Sequence, residues 1–163
     1  MKSKHRTASK AKRKWQADPS TIYRTMGKFQ DFTPEVHRHI TLPVQLAFER
    51  IKAGTATDDD FHCLAAACNV SLVCSEKISP LVEVTCLSAR DALLRCKARE
   101  AKTGRWGFDG PALSEIVEMI DVYTQLTQLL KPVQLQNAMT EALRRARTGN
   151  GLHQPEFEME HAA

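Results

Sequence analysis

The run Thr57-Asp58-Asp59-Asp60 constrains the fold of this chain more than any other feature. A hydroxyl and three carboxylates directly ahead of an apolar stripe suit a helix N-terminus. That end has unpaired backbone N–H groups and the positive pole of the helix dipole to satisfy. Phe61, Leu64, Ala65, Cys68 and Leu72 then recur at helical spacing, and the stripe can run on to Ile78. The same grammar repeats along the chain. Thr41 as N-cap, Pro43 in the first turn and Gly54 as stop predict a helix over 41–53, with Val44, Ala47, Phe48 and Ile51 on one face. Ser79-Pro80 opens a third helix over 81–102, with Val84, Cys86, Leu87 and Leu94 turned inward and Arg90, Arg95, Lys97 and Arg99 outward. Asp109 or Gly110 caps a fourth near Pro111, striped by Leu113, Ile116, Val117, Ile120, Tyr123, Thr127 and Leu130. Pro132 should break that helix. A last one over 133–147 carries Leu135, Met139, Ala142, Leu143 and Ala146 on one side, and Gly149-Asn150-Gly151 ends it. With no strand alternation and no internal repeat, the expected fold is all-α, a bundle of four to five helices.

Composition agrees with close-packed helices. A chain of 163 residues suits one domain, and an apolar fraction of 42% suffices for one core. Aromatic residues make up only 6% of the chain, so aliphatics, alanines and cysteines must fill most of the interior.

Charge divides the chain unevenly. Lys2, Lys4, Arg6, Lys10, Lys12, Arg13 and Lys14 place +7 in the first fourteen residues, with no carboxylate among them. The whole chain is +4, so residues 15–163 carry the balance of −3. Residues 1–40 therefore read as a basic, largely irregular arm that is expected to be disordered at its start. Residues 41–148 read as the bundle, and residues 149–163 as an acidic, loose tail. Trp15, Ile22, Tyr23, Met26, Phe29 and Phe32 are scattered through the arm without sustained periodicity. Seven cations can neutralise several phosphates, and Trp15 offers a stacking surface for unpaired bases. The plainer reading of the same run is a solubilising tail.

Five cysteines fall within 34 residues, spaced Cys63-x4-Cys68-x5-Cys74-x11-Cys86-x9-Cys96. None forms the CxxC knuckle of a structural zinc site, and free cysteine packs as a small hydrophobe. The N-terminal stretch lacks the apolar run of a secretory signal, and no run is long enough for a membrane span. The expectation is a cytoplasmic protein with free, core-packed thiols and no metal or cofactor. His37 and His39 alternate, but without a carboxylate or cysteine at a companion spacing. With no phosphate-cradling glycine loop, nucleophile elbow or HExxH, no catalytic residue is assigned and the protein is expected not to be an enzyme.

Two local features compete with plainer readings. Ala65, Asn69, Val70 and Ser71 stand in the order of a helix-turn-helix spanning Leu64–Ile78. However, Ser75 occupies the position of a buried Val or Ile, and only Lys77 supplies a base-facing cation, so one uninterrupted helix is expected. The loop 103–111 holds three glycines and a proline around Arg105, Trp106 and Phe108. Its aromatics can plug the open end of the bundle, the expected reading, or form a partner-binding knob.

Further motifs carry a resemblance. Gly54-Thr55-Ala56-Thr57-Asp58-Asp59-Asp60, the pair Asn69-Val70, and the turn Thr103-Gly104-Arg105-Trp106 follow a Lys/Arg-rich arm. This order resembles small, uncharacterised helical proteins of proteobacterial phages, prophages and plasmids, over about Ile51–Leu143. Some of those proteins carry a label as Fis-type regulators, a DNA-binding class. The reader helix of that type belongs at the C-terminus, and here no matching turn precedes Glu141–Arg147. The charge of the arm, with this resemblance pointing the same way, leads to the expectation of a non-enzymatic nucleic-acid-associated accessory protein of a mobile element, in which the arm touches phosphate non-specifically. Arg144, Arg145 and Arg147 would be a second basic site, or simply cations placed favourably at a helix C-terminus. The alternative is a protein-interaction module that binds a phage or host protein through the helical body near Trp106 and Phe108.

Overall fold

The computed structural model describes residues 32–148. Among them are five helices and no strand: α1 (Pro34–Ala53), α2 (Asp58–Ser75), α3 (Pro80–Thr103), α4 (Gly110–Leu129) and α5 (Pro132–Arg147). The arm residues Lys2, Lys4, Arg6, Lys10, Lys12, Arg13, Lys14 and Trp15, and the acidic tail 149–163, lie outside the described residues.

Proline opens four of the five helices, at Pro34, Pro80, Pro111 and Pro132. Its fixed φ suits the first turn, where a missing N–H costs nothing. Side chains complete these starts. Thr33 accepts from the Val36 N–H, Ser79 from that of Leu81, and Asp109 from that of Ala112. At the other end, Gly54 and Gly104 stop α1 and α3 in the left-handed region, with φ of 72° and 67°.

The first helix starts at Pro34, not at the expected Thr41, so Pro43 lies in its interior. Pro43 and His39 are both exposed, so the backbone carbonyl that the proline leaves unpaired lies on the solvent side. The arm therefore gives way to helix earlier than residue 41.

Helices α1 to α4 run alternately up and down, whereas α5 brings its C-terminal end to that of α2, where Arg145 meets Glu76. Arg50 near the end of α1 pairs with Asp60 at the start of α2. His37 at the start of α1 reaches the Thr124 carbonyl late in α4, while Phe48 at the other end of α1 stacks on Phe108 just before α4. Helix α2 packs against all four others, and α1 and α3 each also pack on α4. Buried on nearly every side, α2 has no single apolar face, and six consecutive residues from Val70 to Ser75 are buried. It is one unbroken helix rather than a helix-turn-helix, as expected, but it stops at Ser75, short of Ile78, which stands in solvent, and the Ser75 hydroxyl donates to the Leu72 carbonyl.

Small side chains let these helices approach closely. The inner face of α3 consists of Cys86, Ala89, Ala92, Leu93 and Cys96, whereas Val84, expected inside, is 58% exposed. The Cys68 thiol sits 3.5 Å from the backbone carbonyl of Cys86 on the next helix, a contact that bulkier residues would prevent. On α4, Met119 is buried in place of the expected Val117. On α5, Leu135, Ala138 and Ala142 face inward, while Met139 and Leu143 stand largely in solvent. All five cysteines are free, and four are buried.

Candidate functional site

The loop between α3 and α4 closes one end of the bundle. Gly104 turns the chain, and Trp106 folds back until its ring lies on Phe61 of α2, with centroids 4.4 Å apart and planes 18° from parallel. The indole N–H donates to Asp58 Oδ1 at 3.2 Å. Lys97 of α3 lays its ammonium over both rings, 5.1 Å from that of Trp106 and 5.6 Å from that of Phe61. Phe108 is half-buried and stacks on Phe48 at 5.7 Å. Trp106 itself is buried, so its ring is a plug and its one donor is already engaged. Of the three loop candidates, only Arg105 is exposed.

Charges at this end are matched to partners. Asp109 caps α4 through the Ala112 N–H at 2.8 Å and accepts from Arg95 at 3.0 Å; the backbone donor first, then the guanidinium, holds its carboxyl below the ordinary range. Arg95 also bonds Glu115. Asp60 closes the start of α2: its Oδ2 accepts from the backbone N–H and the hydroxyl of Thr57, at 2.9 and 3.1 Å. That backbone bond, with help from Arg50, lowers its pKa against the opposing effect of burial. The three carboxylates of 58–60 thus divide their work, Asp58 toward Trp106 and Asp60 toward its own helix.

Two of the three arginines of α5 are engaged as well. Arg144 and Arg145 both bond Glu141, and Arg145 reaches across to Glu76 at the end of α2. The two guanidinium groups, Arg144 first, depress the Glu141 pKa to about 2. Among the three cations expected at this helix end, only Arg147 has no ion pair within the described residues. Over residues 32–148, fourteen Lys and Arg side chains face fourteen Asp and Glu, so the body has no net charge.

The described residues contain no group of three or more His, Cys, Asp or Glu placed to hold a metal ion. His37 is bonded to the Thr124 carbonyl at 3.3 Å, and His39 lines an apolar groove between α1, α4 and α5. Burial raises the pKa of the Cys86 thiol to about 12, and burial likewise raises that of Cys68. No helix of the described residues is long and apolar enough to cross a membrane.

Sequence reasoning placed Trp106 and Phe108 at the bundle end but did not find their partners. Phe48 and Phe61 were legible as core residues, and nothing in linear spacing joins residue 58 or 97 to residue 106. The groove beside His39 was not anticipated, because it depends on Met139 and Leu143 facing outward. Comparison of the chain with models of protein families, with curated proteins and with solved structures gives no match.

Proposed function

We propose that this chain is a non-enzymatic, nucleic-acid-associated accessory protein of a bacterial mobile element, one that holds the phosphate backbone with Met1–Lys14. The observation that carries this reading is the partition of charge. The body balances fourteen cations with fourteen carboxylates, several of them joined in ion pairs, whereas Met1–Lys14 concentrates +7 with no carboxylate among them. Such an arm displaces condensed counterions when it meets a polyanion, and that release drives binding without reading bases. Trp15, next to the last lysine, adds stacking wherever bases are unpaired. The likeness to small mobile-element proteins supports the same role. Trp106 and Phe108 do not favour the competing interaction-module reading, because the bundle itself uses their rings.

The test is binding to duplex DNA and to single-stranded RNA across a salt series. It compares the full chain with a full-length variant whose seven arm cations are glutamines. The expected result is a log–log salt slope shallower in the variant by up to about 6, since each neutralised phosphate on duplex DNA contributes about 0.9. Equal slopes, or no binding by the natural chain at low salt, overturn the reading.

A further inference from the structure

The groove between α1, α4 and α5 has a volume of about 430 Å3 and is predominantly apolar. Buried Tyr123 and Leu135 form its floor. Ile40 stands on the α1 side, and Met139 and Leu143, 49% and 58% exposed, on the α5 side. Phe32, the first described residue, lies at its edge. We infer that this groove is the seat of the chain's own segment Ile22–Phe29, which anchors the root of the basic arm to the bundle.

Three observations select this occupant. First, three Cα steps of 3.8 Å separate Phe29 from Phe32, so Phe29 lies within about 11 Å of the groove's edge in any conformation. Second, although the arm as a whole lacks sustained periodicity, Ile22, Met26 and Phe29 stand at i, i+4 and i+7, a spacing that would gather them within an arc of about 60° on a helix. Arg24 and Lys28 fall on the opposite side of that helix, where a docked segment would meet water. Third, the dimensions agree. Ile22 to Phe29 spans about 10 Å as a helix, and Leu135 to Leu143 offers about 12 Å along α5. So short a helix is marginal alone and needs a surface to pack on. The two-residue connection Gln30-Asp31 holds it at an effective concentration that a second copy in dilute solution cannot match.

This inference does not depend on nucleic-acid binding, and its test contains none. Full-length protein is digested briefly with trypsin, and cleavage after Arg24 and Lys28 is timed by mass spectrometry. Hydrogen exchange over residues 20–31 is followed in parallel, at two protein concentrations. The variants are Leu143→Glu and Met139→Glu on the exposed wall of the groove, and Phe29→Asp on the segment. Helical circular dichroism establishes that the body of each is intact. Docking predicts that both cleavages and the exchange speed up by about tenfold or more in all three variants, whichever side carries the change. Unchanged rates in the groove variants overturn it. Protection that disappears on dilution, together with a dimer in sedimentation, gives the groove to a second copy and also overturns it.

Discussion

Trp106 donates its indole N–H to Asp58 across 48 positions of sequence, tying the loop after α3 to the first turn of α2. The bond sits beside the ring stack on Phe61, so one side chain joins a hydrogen bond, an aromatic contact and the Lys97 cation at a single point. Trp106→Ala should lose about 3–5 kcal/mol of stability, the usual range for truncating a large buried aromatic. Trp106→Phe, which keeps most of the ring and drops the donor, should lose clearly less. Urea titrations followed by circular dichroism measure both. Equal losses would show that the donor to Asp58, not the ring, carries the contact.

Ser71 supplies a test of opposite sign. It is fully buried in α2, and its hydroxyl has no hydrogen-bond partner among the described residues. Ser71→Ala removes that group with little change of shape. The melting temperature should stay level or rise, with a gain of up to about 1 kcal/mol. A clear loss would mean that the hydroxyl has a partner after all.

Acid should unfold the bundle through its paired carboxylates. Asp60, Asp109, Glu76 and Glu141 all have folded pKa values below their ordinary ones, of 3.8 for Asp and 4.5 for Glu. Each therefore contributes stability in full above its ordinary value and loses it as pH falls through the lower folded value. The melting temperature should fall from about pH 4.5 toward pH 2, the depressed value of Glu141. Glu141→Gln, which removes the shared partner of Arg144 and Arg145, should flatten that limb, as melting curves across the range will show.

The thiols should be inert while the protein is folded. Cys68, Cys86 and Cys96 are all but inaccessible, Cys74 is nearly so, and burial raises every thiol pKa. A thiol reagent at pH 8 should modify half-buried Cys63 first and the other four only as the bundle unfolds. Simultaneous labelling of all five under native conditions would contradict this packing.

Caps and stripes made most of the fold readable, and the errors have a common cause. Thr57 to Asp60, Ser79-Pro80, Asp109 and Gly54 marked helix ends correctly because their chemistry is local. Thr33-Pro34 carries the same signal, but a second proline at 43 concealed it by suggesting a later start. The inner face of α3 was misread because hydropathy ranks Val84 and Leu94 above Ala89 and Ala92. The close approach of α2 instead rewards the smaller residues. The outward turn of Met139 and Leu143 was equally hidden, since a stripe does not say which of its members the neighbouring helix reaches. Spacing along the chain could show Arg145 its neighbour Glu141, but Asp109 and Glu115, which hold Arg95, and Glu76, the second partner of Arg145, lie 14, 20 and 69 residues away.

The burial of α2 on nearly every side sets how freely this chain can vary. Past its first turn, only His62 and Ala66 stand in solvent, so a substitution scan should find an almost continuous block of intolerance there, without helical rhythm. Helix α5, which faces the body on one side alone, should show the rhythm plainly. Variants of this protein with a different surface would then keep the central helix nearly verbatim and change the four around it.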